Sequence, residues 1–434
     1  MTSRKLQSIA SGVALAILCA GAPAMAQDSD VAALEARVAE LEGLLQQLLA
    51  EKKAPPAPAP APKPAPKPAA KSVDTGSSYK FGGFVRLDAK FSDYSSGDLA
   101  PGSAGTQFYI PGTIPVGTGS SSGPDLNGDA KASRINFKSD HSLASGDQLS
   151  TFIELDFYLS PGGNERVSNS YNPRLRHAFI KYNDWLFGQT WSTFQDVGVL
   201  PETMDFIGVP DGTTFMRQSM IRYTKGRWEV ALENPETTIT PFGGGGRIVA
   251  DDGPLPDLVA RYTVPLQGGH IKVAGLARQL DYEAGTIDDS ETSFALSVSG
   301  KHTIGNNGDD IRWMVTSGSG VGRYLGLNTA NGAVIDSNGN LDAIDQTGFF
   351  VAYRHIWNEK WRSNLMYSAL SIDNDTSLTG TGVTKDVYSA NVNLVYQPLP
   401  KLTLGGEIMF AEREIESGLD GDMTRFIFSA KYAF

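Results

Sequence analysis

The stretch Thr424-Arg-Phe-Ile-Phe-Ser-Ala-Lys-Tyr-Ala-Phe434 has an apolar or aromatic residue at every second position from Phe426. Phe426, Phe428, Ala430, Tyr432 and Phe434 fall on one face, with Arg425 and Lys431 opposite. A period of two is the signature of a strand. An aromatic face backed by a charged one suits a wall between lipid and a wet interior. The same texture begins at Tyr79–Asp93, where Phe81, Gly83, Val85, Leu87, Ala89 and Phe91 oppose Lys80, Arg86, Asp88 and Lys90. Between them lie similar stretches at 131–140, 148–158, 173–183, 184–190, 215–224, 227–234, 257–265, 270–283, 291–304, 309–319, 345–356, 360–371, 386–397 and 401–414. With 79–93 and 422–434 these make sixteen, an even number. Tight links (183–184, 225–226, 357–360, 398–400) contrast with long polar ones (94–130, 191–214, 235–256, 320–344, 372–385). The pattern predicts an all-β, 16-stranded antiparallel transmembrane β-barrel over residues 79–434. A soluble sandwich or propeller is the competing reading, and it has no need of an aromatic last strand.

Composition permits this. The 434 residues carry 48 acids and 37 bases, a net charge of −11. Mean hydropathy is −0.20, which excludes a helical-bundle membrane protein but not a barrel, whose apolar residues alternate. The acidic balance argues against a nucleic-acid partner.

The N-terminal region reads differently. Arg4 and Lys5 precede an apolar run, Ile9 to Ala22, and Pro23-Ala24-Met25-Ala26 follows. Residues 1–26 are expected to be a secretory signal peptide cut after Ala26, since the run falls short of the roughly 20 residues a span needs. Cys19 lies inside it, so no disulfide or thiolate is expected afterwards. Val31, Leu34, Val38, Leu41, Leu45 and Leu48 step by three and four, an a/d heptad seam within 27–53. Under three heptads is too short for an isolated coiled coil; the other reading is an amphipathic helix packed on its own domain. Residues 54–78 are a Pro/Ala/Lys-rich linker of polyproline II type.

Aromatics running to a terminal Phe look like the signal read by the bacterial barrel-assembly machinery. Coil, Pro/Ala linker and a barrel opening with Tyr79-Lys-Phe-Gly-Gly-Phe-Val-Arg86-Leu-Asp88 together resemble the DcaP-like porins of Gram-negative outer membranes. Arg174-Leu-Arg176-His-Ala-Phe-Ile-Lys-Tyr and Trp185-Leu-Phe-Gly-Gln-Thr-Trp191-Ser-Thr-Phe extend the likeness. The resemblance implies a homotrimer with three pores, in the cell outer membrane with its N-terminal segment periplasmic. It also implies uptake of small anionic solutes such as dicarboxylates.

Strand parity sorts side chains to lipid or lumen. Lys80, Arg86, Arg134, Lys138, Arg222, Arg261, Lys272, Arg278, Arg312, Arg354, Arg362, Arg413, Arg425 and Lys431 fall inside, against chiefly Asp88, Glu154, Asp156, Glu229, Glu233 and Glu407. A charge facing lipid near midplane costs roughly 2–4 kcal/mol, which explains inward pointing but not the excess of bases. Two readings stand: an arginine-lined anion path, or general solvated lumen charge. Strand 173–183 is ambiguous, one register pointing Arg174 and Arg176 inward and the other His177 and Lys181. In porins the segment after the fifth strand is the constriction loop; here Trp191–Gly212 carries Asp196, Glu202, Asp205 and Asp211. Its apolar residues would pin it to the wall while its acids face the bases; a cap over the subunit is the other reading. Arg86, Arg134 and Arg222 are expected at the narrowest point, with Arg176, Arg261, Arg354 and Arg425 along the path.

No catalytic constellation emerges, and no enzyme, metal or cofactor is expected. Gly119-Ser-Ser121-Ser-Gly123 lacks the strand-to-helix context of a nucleophile elbow. The histidines are scattered, and Asp125-Leu-Asn127-Gly-Asp129 lacks the distal Glu of a calcium loop. The competing function is structural: coil and linker tethering the membrane to the cell wall.

Overall fold

The computed structural model describes Gly43 and residues 74–434, apart from 161, 164, 251 and 252. The expected leader, the heptad residues and the Pro-rich stretch to residue 73 lie outside the described residues. All described strands belong to the unit Ser72–Phe434.

Sixteen antiparallel strands follow one another. They are β1 (Asp74–Tyr94), β2 in two pieces (Asp125–Asp129 and Arg134–Leu143), β3 (Gln148–Asp156), β4 (Arg174–Tyr182), β5 (Trp185–Trp191), β6 (Arg217–Lys225), β7 (Trp228–Glu233) and β8 (Asp257–Leu266). Then come β9 (Gly269–Ala284), β10 (Ile287–Ile304), β11 (Asp309–Ser319), β12 (Asp345–Ile356), β13 (Trp361–Asp373), β14 (Thr384–Leu399), β15 (Leu402–Ile415) and β16 (Asp420–Ala433). Each pairs with the next, and β1 pairs on its other edge with β16, from Phe84↔Ala433 to Tyr94↔Met423. The ring has no free edge. That is the condition for a sheet to stand in hydrocarbon, where an unpaired N–H or C=O finds no water.

Period two then sorts the side chains. On β1, Phe81, Val85, Leu87 and Phe91 stand exposed while Asp88, Lys90 and Ser92 are buried inside. On β16, Phe426, Phe428, Tyr432 and Phe434 face out, with Arg425 and Ile427 buried. Such a continuous exposed apolar surface is a lipid-contact surface. Short turns close one end of the barrel and most of the long loops crowd the other.

Three local features depart from simple alternation. β1 begins at Asp74, five residues before the expected start. Asp125–Asp129, expected as loop, pairs with Asp88–Ser92 through its backbone; its sequence has no apolar alternation to announce it. Lys90 Nζ sits 2.7 Å from Asp129 there. In β4 the ladder with β3 runs Leu155↔Leu175 and then Glu154↔His177, so Arg176 is a bulged extra residue. Both registers of the ambiguous strand therefore hold, one on each side of the bulge, and Arg176 and His177 are both buried.

Loops fill much of the interior. Tyr109 and Ile114 of the first long loop pack on Tyr94, Met409 and Met423. Val321, Tyr324 and Leu325 pack with Val259, Leu276 and Leu370. A small sheet (Thr237–Thr240, Ile248–Ala250, Ala333–Ile335, Leu341–Ala343) ties two of the loops together.

The first strand is hemmed in at Gly83, whose φ of +152 lies where L side chains rarely go: a Cβ there would stand 2.1 Å from the Arg134 carbonyl oxygen on β2 and 3.0 Å from the Phe434 ring on the seam side. Gly83→Ala should cost about 1–3 kcal/mol, read as a lower urea midpoint for the folded band on unheated gels. Gly82→Ala, whose nearest contacts would be the Asn136 side-chain oxygen at 3.2 Å and the Phe434 carbonyl oxygen at 3.7 Å, is the mild comparison. Equal midpoints for the two would contradict this account of the crowding at Gly83.

Candidate functional site: the loop-narrowed lumen

The segment 192–216 joins β5 to β6 and turns into the barrel. Its apolar residues seat it: Val199 and Val209 pack with Met314, Phe350, Ala352 and Met366, and Met204 with Val395 and Ile427. Gly212 lets the loop lie on β12, since a Cβ there would be 2.0 Å from the Phe349 carbonyl oxygen.

Arginines of the wall grip the loop backbone at intervals. Arg222 donates to the Trp191 carbonyl, Arg261 to Gln195, Arg312 to Leu200 and Arg86 to Met204. Each is a charge-assisted bond, roughly twice as strong as a neutral one. Arg86 is also 2.7 Å from Asp88, Arg222 bonds Thr193 at 2.7 Å, and Arg261 pairs with Glu229.

The loop acids are also engaged. Asp196 takes the Lys272 ammonium at 2.8 Å, His270 Nε2 at 2.7 Å and the Ser299 hydroxyl at 3.0 Å. Burial pushes its carboxyl up, but Lys272 and then His270 outweigh that and hold it below the usual carboxylate range. Glu202 meets Arg362 in a two-pronged pair, 2.5 and 2.6 Å. Asp205 accepts from the backbone N–H of Tyr109 at 3.0 Å and of Ile207 at 3.2 Å. Asp211, wholly buried, accepts from the Tyr109 hydroxyl at 2.6 Å and from Ser389. Glu407, reaching in from β15, takes the Met204 N–H and the Thr203 hydroxyl, each at 2.8 Å. Carboxylates thus fasten the loop as much as its apolar residues do.

Beside the loop tip two of the bases, Arg134 and Arg217, are held more loosely than Arg174 and Arg176. Arg134 lies 3.6 Å from Glu154, its guanidinium over the Phe84 and Phe206 rings and its Nε without a partner among the described residues. Arg176 is bound to Glu154 at 2.7 Å and Asp156 at 2.8 Å; Arg174 shares Asp156. Arg217 stacks on Trp191, 4.5 Å from the ring centroid, and leans on Phe215. Among the described residues no carboxylate pairs with it, and its Nη1 has no partner. Alternation hides Arg217, because it shares parity with the exposed Ile221. Its cross-strand partner Trp191 was the available signal. The structure thus brings Arg134, Arg174, Arg176 and Arg217 together.

The remaining expected path residues lie apart. Arg354 sits at the short-turn end, 2.7 Å from Asp310. Arg425 is buried at the long-loop end with Ser92, Tyr94 and the Gly105 carbonyl.

A closed sixteen-strand barrel, apolar outside and charged inside, with a loop folded into its lumen, defines an outer-membrane channel of the porin class. The family model described as DcaP outer membrane protein matches residues 65–434, and the chain belongs to that family. Its place is the outer membrane. No curated protein matches the sequence. Among solved structures, the outer membrane channel DcaP of Acinetobacter baumannii is 23% identical with TM-score 0.69, over 83% of this chain and 98% of that one. The anion-selective porin from Comamonas acidovorans is 9% identical with TM-score 0.51, over 83% and 100%. OmpF of Salmonella typhi, in complex with daunomycin, is 9% identical with TM-score 0.51, over 82% and 97%. At these identities the likeness is one of fold.

Burial pushes the Asp211 carboxyl up to about 6, although Ser389 and Tyr109 donate to it. The folded state therefore holds this proton more tightly than the unfolded chain. The stability it confers is complete below the ordinary Asp range and is lost as pH rises through about 6. Relative to Asp211→Asn, the wild type should lose about 2 kcal/mol in urea titrations between pH 4 and pH 7. A difference that stays flat over that range would exclude an ionising Asp211.

Proposed function

We propose that this channel is a passive diffusion pore for small hydrophilic solutes, with a preference for anionic ones such as dicarboxylates. One observation carries the reading: Arg134, Arg174, Arg176 and Arg217 gather beside Phe206 of the inserted loop, and Arg217 has no carboxylate partner among the described residues. The loop acids opposite are already engaged by Lys272, Arg362 and backbone donors. The balance of charge in the gap is therefore positive. Guanidinium groups stay charged in a narrow site and grip carboxylates in a planar fork. Their partial pairing keeps binding weak enough for solutes to leave, as conduction requires. No catalytic step belongs to this reading.

In the same reading the chain is exported by a leader cut after Ala26 and works as a homotrimer. The heptad seam of residues 27–53 holds the chains together, and the stretch 54–73 spaces the coil from the barrel, whose first strand begins at Asp74. The heptad pattern and the family likeness support this arrangement.

Reversal potentials in a salt gradient test the selectivity. Arg134→Gln with Arg217→Gln should bring the anion/cation permeability ratio several-fold closer to one. Arg222→Gln should instead raise current noise, because Arg222 holds the Trp191 carbonyl at the root of the loop. An unchanged reversal potential in the double variant would sink the anion-path assignment. Removing residues 27–71 should leave unit conductance intact. If it also weakened the envelope, a tethering role would be favoured alongside the pore.

A further inference from the structure

The long-loop end of the barrel holds a cavity of about 240 Å³ whose charged lining is basic alone. Arg413 reaches it from β15 and Thr384 from the start of β14. Arg247, Thr240 and Asn331 reach it from the two loops that the small sheet ties together. Among the described residues no carboxylate lines it, and none pairs with either guanidinium. Glu416, which accepts from Asn374 Nδ2 at 2.8 Å, is not part of its wall. Two guanidiniums on one small cavity repel each other until an anion lies between them.

The donors are already oriented. Arg413 donates from Nε to Thr384 Oγ1 at 2.9 Å and from Nη1 to the Gly112 and Ile114 carbonyls, each at 3.0 Å. Its Nη2 makes no hydrogen bond among the described residues, and it is open to solvent rather than sealed in the wall. Arg247, exposed in its loop, donates from Nε to Asn331 Oδ1 at 2.5 Å and from Nη2 to the Asn328 carbonyl, which leaves N–H groups over. Thr240 and Thr384 are each 5% exposed. Thr384 Oγ1 accepts from Arg413, and Thr240 Oγ1 accepts from Asn331 Nδ2 at 2.9 Å. Neither hydroxyl donates to an acceptor among the described residues, so both protons remain for something in the cavity.

We infer that this cavity binds a small tetrahedral oxyanion, of the phosphate and sulfate class, which bridges the barrel wall to the loop sheet. Arg413 and Thr384 stand on strands, Arg247 and Thr240 on a loop. A carboxylate offers two oxygens in one plane, whereas four oxygens spread in space can accept from donors on separate walls. The cavity falls below the roughly 300–1,000 Å³ that holds a drug-sized ligand, which suits a small ion. Arg413 shares the parity of the buried Met409 and Ala411, so it faces the interior and not the lipid. The anion therefore comes from solution and not from a lipid headgroup. The site stands apart from the arginines beside Phe206 and does not depend on the anion-path reading.

Calorimetric titration of the full chain in detergent tests it, in a phosphate-free chloride buffer at neutral pH with inorganic phosphate as probe. Phosphate should bind saturably, one per chain, with sulfate similar and acetate at least about tenfold weaker. Arg413→Gln and, separately, Arg247→Gln should each weaken phosphate about tenfold or more. Arg247 is exposed in a loop, so its variant covers the case in which Arg413→Gln fails to fold. Arg134→Gln with Arg217→Gln should leave phosphate affinity unchanged, which separates this cavity from the lumen. A water-soluble short-chain phosphatidate should compete poorly with phosphate; equal competition would overturn the assignment to a dissolved ion. Absence of saturable phosphate binding, acetate binding as tightly as phosphate, or affinity indifferent to Arg247→Gln would overturn the site.

Discussion

Closure of the sheet is the constraint on which everything else rests. Hydrocarbon offers no partner to a backbone N–H or C=O, so the first strand must meet the last. The seam from Phe84↔Ala433 to Tyr94↔Met423 meets that demand. Once the ring is closed, every strand has a lipid side and a lumen side. A charge placed on the wrong side costs several kcal/mol, so the charged side chains of the strands collect inside. A barrel of this size would be a wide channel if nothing else entered it. The inward charges make insertion of a loop possible, because they supply donors and acceptors to a segment whose regular structure is a single 3-10 turn, Val197–Val199.

That segment shows how the inner arginines are used. Trp191, Gln195, Leu200 and Met204 offer carbonyls at nearly regular steps, and four strands supply one guanidinium to each. An unpaired carbonyl buried at membrane depth is expensive, and here an arginine satisfies it with charge assistance. The same contact removes the arginine from the pool that a solute can address. Loop carboxylates do the complementary thing, engaging Lys272 and Arg362. Inner charge is therefore of two kinds: groups that hold the loop, and groups such as Arg134 and Arg217 that the loop leaves loosely satisfied.

Most of the barrel was legible because period two is a strong signal when one face must be apolar. All sixteen strands can be drawn from it, and Phe426, Phe428, Tyr432 and Phe434 stand outward as alternation requires. It fails where alternation itself breaks. Arg176 bulges, so neither register of β4 is complete. Arg217 begins β6 on the parity of lipid-facing Ile221, yet its neighbours at the strand end are Trp191 and Phe215. Asp125–Asp129 pairs through backbone groups that carry no side-chain pattern. The division between clamping and loosely paired arginines was not legible at all, since it depends on where the carbonyls of a non-periodic loop come to lie. Arg86 and Arg222 read from sequence as path residues equivalent to Arg134, and the structure gives them loop carbonyls that Arg134 does not have.

Whole-chain charge is a poor guide to such a lumen. Of 48 acids and 37 bases, residues 1–26 hold two bases and residues 27–73 hold six acids and six bases, leaving 42 and 29 for the barrel. Many of those acids sit far from the loop tip. Asp288, Glu291, Asp345 and Asp373 are exposed near the long-loop end of their strands, where water and salt screen them within about 8–10 Å. Arg134, Arg176 and Arg217 are partly or wholly shielded from solvent, where the same charge acts through a lower effective dielectric. Field strength in the gap is thus decided by a few shielded groups and their imperfect pairing, and the acidic surplus on the rims hardly reaches it.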